Sequence, residues 1–122
     1  MSADVSRVFV IDDEYTVRKS LSLLLRVEGF RVEDFESGTA ALTAFAADPP
    51  NCVLTDYHMP GLSGEEIIRQ LRSLDPTIPI IVLTGRDASV RIELDATVRL
   101  LQKPVNAEVL LKLLRAVIPG SA

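Results

Sequence analysis

The sequence predicts a single α/β domain: a doubly wound, five-stranded parallel sheet with helices on both faces. Three observations predict it. Short apolar runs rich in β-branched residues alternate along the chain with stretches whose apolar residues recur at helical spacing. One of those runs, Ile80-Ile81-Val82-Leu83, is unbroken by any polar residue, as expected of a strand covered on both faces in the middle of a parallel sheet. Finally, 48% of the 122 residues are hydrophobic and 25% are charged, enough to bury a core and far from the balance of a disordered chain. Parallel strands joined through helices imply right-handed crossovers.

Each element can be justified in order. The first strand is Arg7-Val8-Phe9-Val10-Ile11, which breaks off into Asp12-Asp13. Val17, Leu21, Leu24 and Leu25 then recur at i, i+4, i+7 and i+8, the pattern of a helix, with Gly29 as its stop. Leu23-Leu24-Leu25 reads as core stripe and not as a zipper, since too few heptads are present. Phe30 to Phe35 alternates as a short second strand. Ser37 can cap a second helix, Thr39 to Ala47, that ends before Asp48-Pro49-Pro50. Cys52-Val53-Leu54-Thr55 is the third strand and runs into Asp56. Pro60-Gly61 signals a turn, and Ser63 with Glu66 has capping-box spacing for a helix carrying Ile67, Ile68, Leu71 and Leu74 on one face. Pro76 and Pro79 bracket the connection to the fourth strand, Ile80 to Leu83. Asp87 to Leu94 is weakly helical, with Val90 and Leu94 as its apolar pair. Val98 to Leu101 is the fifth strand, and Asn106 caps a last helix carrying Val109, Leu110, Leu113, Leu114 and Val117.

Composition excludes several classes of function. A net charge of −4 argues against a general nucleic-acid footprint, which needs a basic face. The longest apolar runs fall far short of the roughly 20 residues that span a bilayer, and Met1 to Arg7 carries no stretch of signal-peptide length. Cys52 stands alone, so no internal disulfide can form, and a reducing, cytoplasmic setting is expected. No linker or repeat divides the chain, which is expected to be one domain over residues 1–122 with its ordered core at about 6–118.

In open α/β sheets, ligands bind beyond the carboxyl ends of the strands. The polar residues there are Asp12 and Asp13 after strand one, Asp56 after strand three, Thr84 after strand four and Lys103 after strand five. Carboxylates converging on one point repel by roughly 3 kcal/mol per pair at about 5 Å and an effective dielectric near 20. A hard divalent cation with oxygen ligands would relieve that repulsion, and Lys103 adds an ammonium that can pair with an acid or a phosphate. Taken singly, each of these residues has an ordinary reading: a solvated acidic turn, a surface lysine. His58, the only histidine, is by default a loop bystander, Cys52 a buried small residue, Tyr15 and Tyr57 packing or rim residues, and Arg69, Arg72 and Arg86 a solvated face.

The set as a whole resembles the receiver domain of two-component response regulators over nearly the entire chain. The matching pieces are Ile11-Asp12-Asp13-Glu14, then Leu54-Thr55-Asp56-Tyr57-His58-Met59-Pro60-Gly61, then Val82-Leu83-Thr84-Gly85, then Gln102-Lys103-Pro104, with a 43-residue step from Asp13 to Asp56. The resemblance implies a flavodoxin-like strand order, 2-1-3-4-5. It implies that Asp56 is the phosphoacceptor, taking a phosphoryl group from the phosphohistidine of a sensor histidine kinase or a histidine phosphotransfer protein. Asp13 and Asp56 would bind Mg²⁺ (or Mn²⁺) directly, Asp12 mainly through water, and the backbone carbonyl of His58 would complete the protein ligands. Thr84 would hydrogen-bond the phosphoryl group and Lys103 would pair with it, the Lys103-Pro104 bond being cis. Such a module catalyses only its own phosphorylation and dephosphorylation and signals through an altered surface near the fourth helix and fifth strand. Its downstream partner, a protein or a fused output domain, is left open. The last helix ends at Ile118-Pro119, so no direct DNA binding and no membrane contact are expected of these residues.

Three departures from the family's pattern carry expectations of their own. The aromatic residue that commonly sits three positions before the lysine is replaced by Leu100, so a ring cannot report the movement of Thr84. The 19-residue step from Thr84 to Lys103 is shorter than is common, with Ala96-Thr97 near the place of the usual Gly-Ala pair, so the helix between the fourth and fifth strands is expected to be shortened, displaced or partly unwound. His58 and Arg86 occupy the positions that tune phosphoryl lifetime in the family, and their bulk favours slow self-dephosphorylation. The alternative to a phosphorylated switch is a pseudo-receiver, an interaction module of the same fold that works without phosphorylation. A phosphohydrolase of similar architecture needs a second acid where His58 stands.

Overall fold

The computed structural model describes residues 5–85 and 96–118. In chain order its elements are β1 (Arg7–Ile11), α1 (Tyr15–Val27), β2 (Arg31–Phe35), α2 (Gly38–Ala47), β3 (Cys52–Asp56), α3 (Gly64–Leu74), β4 (Ile80–Thr84), β5 (Val98–Gln102) and α4 (Ala107–Val117). The five strands are all parallel and lie in the order β2-β1-β3-β4-β5, the doubly wound arrangement. The expected helix at Asp87 to Leu94, and with it the expected shortening, lies outside the described residues.

Two apolar cores, one on each face, explain why the central strands are continuous hydrophobic runs. β3 and β4 are buried at every position. On one face Val8, Val10, Leu54, Ile81 and Leu83 pack under Leu21 and Leu25 of α1 and Leu110 and Leu114 of α4. On the other, Phe9, Ile11, Val53, Ile80 and Val82 pack under Ala41 and Phe45 of α2 and Ile67, Ile68 and Leu71 of α3. Alternation along each strand divides its residues between the two cores.

Helix ends follow local chemistry. Ser37, Ser63 and Asn106 each accept a hydrogen bond from the amide three residues on, at 3.2, 3.2 and 3.1 Å. The expected capping box at Ser63 is only half made, because the Glu66 carboxylate turns outward to Arg69 and Gln70. Gly29, at a φ of +99°, closes α1: its amide bonds Arg26 O, and the Phe30 amide bonds Leu25 O, the two bonds of a Schellman motif.

Several expected core positions are corrected. Leu23 is 63% exposed, Leu74 51% and Val109 47%. Leu23 lies on the outer side of α1, away from buried Leu21 and Leu25, and Leu74 is the last residue of α3, beyond its buried turn. Val109 lies in the first turn of α4, ahead of the buried Leu110 and Leu114. Arg72, read as part of a solvated face, is half-buried and ties the α3 end to the sheet, donating to Ile78 O at 2.8 Å and Thr97 Oγ1 at 2.6 Å.

Candidate functional site

The carboxyl ends of the central strands gather the acids. β1 and β3 are adjacent, so the residues that follow them emerge side by side. Asp56 closes β3, with Leu83 of β4 as its register partner, and Thr84 comes one residue later on β4. One carboxylate oxygen from each of Asp12, Asp13 and Asp56 lies within 4.8 Å of the others. Asp12, Asp56 and Thr84 are buried, whereas Asp13 faces outward. Lys103 reaches in from the end of β5, its Nζ 3.2 Å from Asp56 Oδ2 and 3.7 Å from Asp12 Oδ2. The strand end holds it there: Lys103 N donates to Thr84 O at 2.7 Å, and the Lys103-Pro104 peptide is cis.

Asp12 is held at three of its four polar groups. Its amide donates to Phe35 O at 3.1 Å. Its carbonyl accepts from Arg18 Nη1 at 2.9 Å, and its Oδ1 accepts from the Glu14 amide at 2.9 Å. Oδ2 is the exception, a buried oxygen without a hydrogen-bond partner. Burial raises the Asp12 pKa most; the Glu14 amide works the other way, Asp56 and Asp13 add to the rise, and Lys103 opposes it. A buried carboxylate with one orphaned oxygen, facing two more acids, fits a cation bound among them.

The remaining sequence-selected residues lie around this cluster. His58 is exposed and meets the Tyr57 ring edge-on, centroids 4.9 Å apart. Leu100 is 39% exposed on β5, opposite Val82. Arg86 lies outside the described residues. Tyr57 is buried and Tyr15 is exposed. Cys52 is fully buried, and burial pushes its thiol up to about 12, in keeping with an inert core residue.

Sequence reasoning missed a polar chain that supports the acidic turn. Arg18 is buried on α1, bonds Asp12 O, and lies under the Tyr15 ring at 5.4 Å. Ser22 Oγ, also buried, lies 2.8 Å from Arg18 O and 3.1 Å from Asp34 Oδ2, which share its one proton, and Lys19 pairs with the same Asp34 at 3.0 Å. The one available signal was a pair of polar residues, Arg18 and Ser22, four apart on the helical side that carries Leu21 and Leu25.

A doubly wound sheet with three acids and a lysine gathered at its carboxyl edge defines the receiver class of signalling module. Residues 8–115 match the model of the response regulator receiver domain, and the chain belongs to that family, whose members act with histidine kinases in two-component systems. It is 44% identical over 115 residues to the response regulator MprA of Mycolicibacterium vanbaalenii, and that match covers 92% of this chain and 50% of the relative. The chain thus spans about half the length of the curated relatives it matches. Among solved structures it is similar to a receiver domain from Clostridium thermocellum (31% identity, TM-score 0.79, 93% of this chain and 94% of that one). It is similar also to the chemotaxis protein CheY4 of Vibrio cholerae (28% identity, TM-score 0.82, 93% and 98% covered). Among the described residues no helix is long and apolar enough to cross a membrane.

Proposed function

We propose that this receiver is a phospho-accepting switch in which Asp56 takes a phosphoryl group from the phosphohistidine of a sensor kinase or a histidine phosphotransfer protein. The observation that carries the reading is the convergence of three carboxylates within 4.8 Å, one with an orphaned buried oxygen, beside a lysine 3.2 Å from Asp56. Asp13 and Asp56 would hold Mg²⁺ (or Mn²⁺) directly, Asp12 mainly through water, and the His58 carbonyl would complete the protein ligands. When bound, the ion neutralises charge on the phosphoryl oxygens.

The residues of the chain supply the rest. An Asp56 carboxylate oxygen forms the new P–O bond as the P–N bond to the donor imidazole breaks, and the bonding pair stays on the ring nitrogen. Lys103 leaves its pairing with Asp56 to meet a phosphoryl oxygen, and the buried Thr84 hydroxyl donates to another. Drawing Thr84 toward the phosphoryl group alters the surface beside β5, where Leu100 stands in place of an aromatic ring. His58, two residues after the acceptor, would restrict attacking water, so the aspartyl phosphate would decay over a time much longer than seconds without a phosphatase.

The test uses acetyl phosphate or beryllofluoride with Mg²⁺, comparing wild type with Asp56→Asn. A Mg²⁺-dependent gain of one phosphoryl mass, abolished in Asp56→Asn, is the expected result. Its absence in wild type would favour a pseudo-receiver, a reading that Leu100 supports. Continuous turnover of small phosphoesters would make the chain a hydrolase.

A further inference from the structure

We infer that Arg18 is a positioning residue for the cation site, acting through the main chain of Asp12. This rests on the reading of Asp12, Asp13 and Asp56 as a Mg²⁺ site. Of the three groups that fix Asp12, two are backbone: the Phe35 carbonyl and the Glu14 amide. The third is the Arg18 guanidinium, the one side chain among them, at 2.9 Å from Asp12 O. It is itself locked. Arg18 is 8% exposed and covered by the Tyr15 ring. Its helical turn is tied to β2 through Ser22, Asp34 and Lys19.

With its amide, carbonyl and Oδ1 all engaged, Asp12 leaves Oδ2 without a hydrogen-bond partner, 3.7 Å from Lys103 Nζ. Asp13, the next residue, is exposed, and no side chain among the described residues ties it, so its direction depends on the same peptide. Removing the guanidinium leaves a carbonyl at the buried Asp12 without this donor, and the turn must rotate to find another. That rotation moves Oδ2 and Asp13 together. Groups that orient metal ligands from behind are worth about 10–100-fold in metal affinity.

The sign of the effect separates positioning from simple electrostatics. Arg18 is a positive charge beside a cation site, so its field alone opposes Mg²⁺, and neutralising it would tighten binding. Positioning predicts the reverse.

The experiment titrates MgCl₂ into ¹⁵N-labelled protein without phosphodonor, following backbone amide shifts. Arg18→Met is expected to weaken Mg²⁺ by about 10–100-fold. Arg18→Lys, which keeps the charge and one donor, should fall between Arg18→Met and wild type, and it carries the test if Arg18→Met does not fold. Arg72→Met, the loss of another partly buried arginine that bonds a main-chain carbonyl, should leave the affinity unchanged. Unchanged or tighter binding in Arg18→Met, or equal weakening in Arg72→Met, overturns the inference alone. A wild type whose shifts show no Mg²⁺ response sensitive to Asp13→Asn overturns the underlying reading, and the inference with it.

Discussion

Replacing Asp12 with asparagine should stabilise the metal-free protein while weakening the site. Asp12 is fully buried, and its carboxylate lies within 4.8 Å of those of Asp13 and Asp56. At that distance and an effective dielectric near 20, repulsion from Asp56 is about 3.5 kcal/mol. Attraction to Lys103 at 3.7 Å is about 4.5 kcal/mol on the same footing, so it offsets that repulsion with about 1 kcal/mol to spare. What remains is repulsion from the exposed and therefore screened Asp13, together with the cost of keeping a charge dry. The elevated pKa of Asp12 relieves part of that cost by favouring the neutral form. Asparagine keeps an oxygen for the Glu14 amide and can point its NH₂ at Asp56, so the turn survives. The net gain is about 2 kcal/mol, or a rise in Tm of about 8 °C for a domain of this size. The assay is thermal unfolding by far-UV circular dichroism in EDTA near neutral pH, repeated in excess Mg²⁺, where the gap should shrink because only wild type binds the ion well. A lower Tm for Asp12→Asn in EDTA would refute the reasoning: the acids would then be compensated without a cation.

Three further outcomes follow from the same geometry. Burial raises the Asp34 pKa, but hydrogen bonds from Lys19 and Ser22 outweigh it and leave the carboxyl below its usual value. Its stabilising effect is therefore present above the unfolded pKa of about 3.9 and lost as pH falls through the lower folded value, so the lead of wild type over Asp34→Asn in urea midpoint should close in acid. Cys52, with its thiol at about 12, should resist Ellman's reagent near pH 8 in the native protein and react once per chain in guanidinium. Gly64→Ala should cost about 1–3 kcal/mol by urea unfolding, because a Cβ there would lie 2.6 Å from Tyr57 Cα, in backbone that cannot yield cheaply.

How much of this was legible in the sequence depends on whether the signal is local. Strand runs and caps are local: Ser37, Ser63 and Asn106 bond amides three residues away, and the Gly29 stop needs only its own left-handed conformation. Strand order is not local, and it entered through the resemblance to a family. The acids at the strand ends were legible because a parallel sheet sends its carboxyl ends to one edge, whatever the side-chain details. Apolar spacing marked α1, α3 and α4 but not the width of their buried stripes, so Leu23, Leu74 and Val109 were placed inside although packing leaves them out.

The residues least visible in sequence are those whose partners are main-chain atoms. Arg18 and Arg72 donate to carbonyls of Asp12 and Ile78, groups that every residue carries, so no side-chain pattern marks the pairing. Acidic and basic residues that meet one another, such as Lys103 with Asp56, can be suspected from complementary chemistry at strand ends. An arginine that supports a peptide cannot be recognised that way. The acids would be recognisable from sequence in any protein that kept them, whereas the Arg18 bond that holds the Asp12 carbonyl behind them would not. Exchanging Arg18 would leave the acidic motif intact while removing a donor from the buried Asp12 carbonyl, a change that the motif alone does not register.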